Sequence, residues 1–95
     1  MAESNYQRKL KQEAERIGWT VIKLVRATVN GYPDLVLLHH IWGIMFIEVK
    51  DVKGRLSKLQ EYRIKDLNTK GFAAIVADPS NHSDTIEAIT PHLKK

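Results

Sequence analysis

The chain has 95 residues, a net charge of +4 and no cysteine, so it is expected to form a single domain over residues 1–95, near the small end of what buries its own core. Lack of cysteine excludes a disulfide framework and a thiolate metal site. No apolar run approaches the roughly 20 residues of a membrane span and no secretory leader is legible, so an intracellular location without a membrane partner is expected.

Tyr6, Leu10, Ala14 and Ile17 recur at helical spacing and predict a first helix over residues 4–17, ended by Gly18. Residues 20–25 read as a strand, and Asn30-Gly31 marks a turn in the loop that follows. Residues 31–38 and 44–50 are two apolar runs separated by His39-His40-Ile41-Trp42-Gly43, short enough to join them as a hairpin. A basic loop over 51–56 leads to a second helix over 57–70. Its inward residues are expected to be Leu59, Tyr62 or Arg63, Ile64 and Leu67, and Gly71 stops it. Residues 72–77 give a fourth strand, Asp78-Pro79-Ser80 closes it, and a last helix over 83–93 turns Ile86, Ile89 and Leu93 inward. The order αβββαβα describes an α/β fold, a mixed sheet flanked by helices.

Asp34, Glu48 and Lys50 are charged residues inside the two apolar runs. Burying them is costly unless they are paired or bind a metal. With the hairpin centred on Ile41, Asp34 faces Glu48, with Cβ atoms about 5 Å apart. Two like charges at that distance need a cation between them or one raised pKa. The strand period of two places Lys50 on the same face as Glu48. Two carboxylates and an ammonium on one spot suit a metal-dependent nuclease site, and hard oxygen donors suit Mg²⁺ or Mn²⁺. A structural ion pair is the plainer explanation of an isolated E-x-K. The apolar flanks and the register of Asp34 favour the site.

Gly31-x-Pro33-Asp34 followed by Glu48-Val49-Lys50 resembles the PD-(D/E)XK nuclease superfamily, and Gly54-Arg55-Leu56-Ser57-x-x-Gln60 resembles its VRR-NUC branch, over nearly the whole chain. The resemblance implies a restriction-endonuclease-like core and metal-assisted hydrolysis of DNA. Asp34, Glu48 and the Val49 backbone carbonyl would hold the ion, and Lys50 would orient or deprotonate a water. A helical acid would assist. Glu3 and Glu13 both fall on the inward side of the first helix, about 15 Å apart in height, and Glu3 is at the end nearer Asp34. Its charge also suits a helix N-terminus. Gln60 completes a capping box with Ser57 and, by the resemblance, is a site residue as well.

His39 and His40 are read as turn residues rather than ligands, and Trp19 and Trp42 as core or interface. Tyr32 lies beside the acids and is expected to touch substrate. Lys53, Arg55 and Lys58 after the E-x-K strand, with Arg8, Lys9 and Lys11 on the first helix, are candidates to grip phosphates. By the resemblance, the expectation is a structure-selective endonuclease, a homodimer acting on four-way (Holliday) junctions, with Ile41 and Trp42 at the hairpin tip, or equally the first helix, as candidate contacts. Alternatives are a nuclease for flaps or other DNA structures, a non-catalytic nucleic-acid-binding module, or a subunit of a larger complex on the same fold.

Overall fold

The computed structural model describes residues 3–25 and 29–90, Glu3 by its backbone alone. Helix α1 (Glu3–Ile17) is followed by strand β1 (Thr20–Lys23), strands β2 (Leu35–His39) and β3 (Gly43–Val49), helix α2 (Lys58–Thr69), strand β4 (Ala73–Ala77), a 3₁₀ turn (Pro79–Asn81) and helix α3 (His82–Ile89). The sheet order is β1-β2-β3-β4. The first three strands are antiparallel, and β4 lies parallel to β3, reached through α2 as a parallel crossover requires.

One face of the sheet carries Val21, Leu35, Leu37, Met45, Ile47, Val49 and Ala77, which pack against Tyr6, Leu10 and Ala14 of α1 and Ile89 of α3. Fully burying an aliphatic side chain such as Leu10 or Ile47 contributes roughly 1.5–3 kcal/mol, so this layer anchors the fold. The Trp19 indole N–H donates to the Ile89 carbonyl at 2.8 Å. Tyr6 O–H lies 2.9 Å from His82 Nδ1, and His82 Nε2 lies 2.6 Å from Glu13 Oε2, tying α1 to α3. Burial pushes the Tyr6 hydroxyl up to about 12 and keeps it protonated.

The opposite face is covered more thinly. Strand alternation turns Ile22, Leu38 and Ile44 to that side, and they are left exposed. Within α2 the buried residue is Leu67. Leu59, expected inward, is 41% exposed, and of the alternatives Tyr62 and Arg63 it is Arg63 that is half-buried while Tyr62 is 57% exposed; α2 packs mainly along the edge strand β4.

Other expectations also need correction. Residues 31–34 are not part of β2: Pro33 has no N–H for a ladder, and Gly31 has φ +84°, outside the strand region. β1 stops at Lys23. The last helix begins at His82 and ends at Ile89; the expected inward Leu93 lies outside the described residues. His39 belongs to the strand end and not to the turn. It is buried beneath Gly18 and packs on Trp19 and Trp42, with ring centroids 5.2 and 4.0 Å away.

Candidate active site

The hairpin brings the acids together. The β2–β3 register pairs Leu35 with Ile47 and His39 with Gly43, so the turn is centred on Ile41. Continued by one residue, the register sets Asp34 opposite Glu48. The Asp34 carbonyl accepts the Leu24 N–H at 2.7 Å, and its Oδ2 accepts the Val49 N–H at 3.0 Å. Asp34 is thereby held at the end of β2 by the residue that follows β1 and by β3. A strand residue's N–H and C=O point to the same side, so the Val49 carbonyl lies along the edge that Asp34 occupies.

Glu48 is 2% exposed. Its Oε2 accepts a hydrogen bond from Gln60 Nε2 at 3.2 Å and lies 3.5 Å from Lys50 Nζ. Burial, and then the Asp34 charge, push its carboxyl up to about 7, against the opposing pull of Lys50. A buried carboxylate facing a second carboxylate costs free energy that a cation would recover. Among the described residues no three His, Cys, Asp or Glu side chains converge. A cation here would therefore rest on Asp34, Glu48, backbone oxygen and water. That donor set fits Mg²⁺ or Mn²⁺, which keep several waters and need only one or two carboxylates.

Gln60 satisfies both roles open to it. Its Oε1 accepts the Ser57 N–H at 2.9 Å while the Ser57 hydroxyl accepts the Gln60 N–H at 3.1 Å, completing the capping box. With Oε1 committed to the helix cap, Nε2 is left to face Glu48. The helix N-terminus thus sets which end of the amide meets the carboxylate.

Glu3 opens α1, but its side chain lies outside the described residues. Tyr6, one turn on, meets His82 just beyond β4. This is the end of the sheet to which β3 delivers Glu48, so the start of α1 and the acids share one end. Glu13 is engaged by His82. Among the basic residues, Lys53, Arg55 and Lys58 are exposed in the loop and helix start after β3. Arg8 and Lys9 are exposed on α1, and Lys11 pairs with Glu15 at 2.8 Å. Tyr32 is half-buried, with the Arg63 guanidinium 5.5 Å from its ring centroid. Arg63 also donates through Nε to the Asn30 carbonyl at 2.8 Å. No motif singles out Arg63; its sequence signal is its place, as an alternative to Tyr62, among the residues expected inward on α2, one helical turn after Leu59 and Gln60.

No curated protein and no solved structure gives a significant match to the chain. A family model described as VRR-NUC domain matches residues 2–81, a span that includes Asp34, Glu48, Lys50 and Gln60.

Proposed function

The chain belongs to the VRR-NUC family and is a nuclease-type domain, and on that premise we propose that it is a divalent-metal-dependent endonuclease hydrolysing phosphodiester bonds in branched DNA. The observation that carries this reading is Glu48, a 2% exposed carboxylate across the hairpin from Asp34 and contacted by Lys50 and Gln60. A core without a ligand to hold would not be expected to accumulate two acids at one spot.

Asp34, Glu48 and the Val49 carbonyl would hold Mg²⁺ or Mn²⁺, with Glu3 as an accessory acid. The bound ion would supply Lewis acidity toward the phosphate and lower the pKa of a water. Lys50 orients the attacking water or takes its proton, and its charge offsets the negative charge that develops on the phosphate. Gln60 holds the Glu48 carboxylate in place by one oxygen, leaving the other free for a ligand. Tyr32, Lys53, Arg55 and Lys58 are the substrate contacts, gripping the backbone without reading sequence.

The functional unit we propose is a homodimer making paired nicks in four-way junctions. A two-fold dimer supplies two sites and a longer basic surface. The hairpin tip is favoured over α1 as the contact: Ile41 and Trp42 are 65% and 38% exposed, whereas the apolar face of α1 is buried against the sheet. The deciding experiment is cleavage of linear, flap and four-way-junction DNA by the purified chain with Mg²⁺ or Mn²⁺, beside Glu48→Ala. Full activity in Glu48→Ala at the same metal concentration rules out the assignment.

A further inference from the structure

We propose that Arg63 is a positioning residue for Asp34, and that α2 fixes the separation of the two site carboxylates by gripping each from one helical face. This rests on the metal-site reading above.

Asp34 stands outside the ladder of β2, at the end of the irregular segment Asn30-Gly31-Tyr32-Pro33. On one side of that segment is a cavity of about 310 Å³ bordered by Leu24, Asn30, Tyr32 and Asp34. Among the described residues that side is lined by Leu24, Val25 and Val29, and the segment's own Pro33 is fully buried. On the other side lies α2. Gly31 has φ +84°, and a Cβ at that position would lie 2.6 Å from Leu59 Cγ and 3.2 Å from Arg63 Cγ. The backbone therefore approaches the helix as closely as a missing side chain allows.

Arg63 fastens the segment to the helix. Its Nε donates to the Asn30 carbonyl at 2.8 Å, and its guanidinium lies 5.5 Å from the Tyr32 ring centroid and 5.3 Å from that of Tyr62. A planar cation that stacks on aromatic rings and still directs one N–H at a carbonyl is a task for arginine, which lysine does not reproduce. Leu59, Gln60 and Arg63 share one face of α2. Gln60 holds Glu48, while Leu59 and Arg63 hold the segment that ends in Asp34. The two carboxylates belong to different strands, and the same turn of one helix braces both.

The test compares wild type with Arg63→Ala, Arg63→Lys and Tyr62→Ala. Tyr62 is 57% exposed, so its replacement loosens the stack with little risk to folding, and it carries the test should Arg63→Ala not fold. Mn²⁺ binding to DNA-free protein is measured by calorimetry, and hydrogen exchange is followed at the amides of Asn30, Gly31, Tyr32 and Asp34. DNA binding across a salt series uses the same substitutions in a Lys50→Ala background.

Arg63→Ala is expected to weaken Mn²⁺ binding about 10–100-fold, as removing the groups that orient metal ligands does, and to speed exchange in the segment. Its cleavage should recover at high Mn²⁺ with KM for DNA unchanged. Tyr62→Ala and Arg63→Lys should fall between it and wild type, with the salt slope of DNA binding unaltered. Unchanged Mn²⁺ affinity in Arg63→Ala, with a salt slope lowered by about 1, would make Arg63 a phosphate contact instead and overturn the proposal. A wild-type chain that binds no Mn²⁺ and cuts no DNA overturns the metal-site reading together with it.

Discussion

Gln60 reaches Glu48 with one end of its amide and the Ser57 N–H with the other, at 3.2 and 2.9 Å. The start of a helix and a buried carboxylate therefore share one side chain. Gln60→Glu should separate the two functions. The acid keeps an acceptor for Ser57 but sets a third carboxylate against Glu48. Thermal stability should change little while Mn²⁺ affinity falls or the pH needed for binding rises. Gln60→Ala should lose both, with roughly 0.3–1.5 kcal/mol of cap stability and about 10–100-fold in activity. Equal Mn²⁺ titration curves for wild type and both variants would leave Gln60 as a cap alone.

Asp34→Ala, Glu48→Ala and Lys50→Ala should each abolish cleavage, and the two acid substitutions should also abolish metal binding. All three should stay folded: removing either carboxylate relieves the repulsion within the pair, and Lys50 is a partly exposed side chain outside the apolar core. Glu3→Ala should reduce activity less. Circular dichroism and single-turnover cleavage report the two properties separately, and a Lys50→Ala protein that cuts at the wild-type rate excludes Lys50 from the chemistry.

Burial, and then the Asp34 charge, push the Glu48 carboxyl up to about 7, against 4.5 for an unperturbed carboxyl. Between these values the folded state holds a proton that the unfolded chain has released. The resulting stabilisation is fully present below about 4.5 and is lost as pH rises through about 7. The melting temperature of metal-free protein should therefore fall over that window relative to Glu48→Gln, which has no such proton. Mn²⁺ binding should release a proton below pH 7 and tighten as pH rises. Parallel melting profiles for wild type and Glu48→Gln from pH 4 to 8 would contradict this coupling.

Affinity for DNA should fall steeply between 50 and 200 mM salt as Lys and Arg side chains displace condensed counterions. Removing Lys53, Arg55 or Lys58 should lower the slope by about 1 for each phosphate that is no longer neutralised. Lys50→Ala should bind and not cut. Fluorescence anisotropy over a salt series measures this, and a constant affinity across it would refute a phosphate-gripping surface.

Light scattering at micromolar concentration should show a dimer, and Trp42→Ser with Ile41→Ser at the hairpin tip should shift it toward monomer and reduce paired nicking of four-way junctions. A monomer that cuts flaps and spares junctions would remove the dimer and the junction preference while leaving the nuclease.

Much of the site was legible because it depends on local periodicity. The helical spacing of Tyr6, Leu10 and Ala14, the apolar runs on either side of a short turn, and the two-residue period that aligns Glu48 with Lys50 all follow from backbone geometry. A turn centred on Ile41 was the condition for setting Asp34 against Glu48, and the register meets it. Pattern failed where an element meets another distant in sequence. Leu59 satisfies an inward helical pattern, yet α2 lies along an edge strand and leaves it 41% exposed, and the pattern could not choose between Tyr62 and Arg63, of which Arg63 is the half-buried one. His39 has the look of a turn residue and is buried between Trp19 and Trp42.

By itself, then, the sequence determined the order of elements and, once the turn is centred on Ile41, the pairing of Asp34 with Glu48 and the face on which acids and lysine converge. Only the tertiary structure decided that Glu13 pairs with His82, that Gln60 spans cap and carboxylate, and that Arg63 braces the segment leading to Asp34. The reason is physical. Periodicity states which side of a helix or strand is turned toward the interior, whereas the partner found there depends on how the layers stack, and that is set by packing across the whole chain.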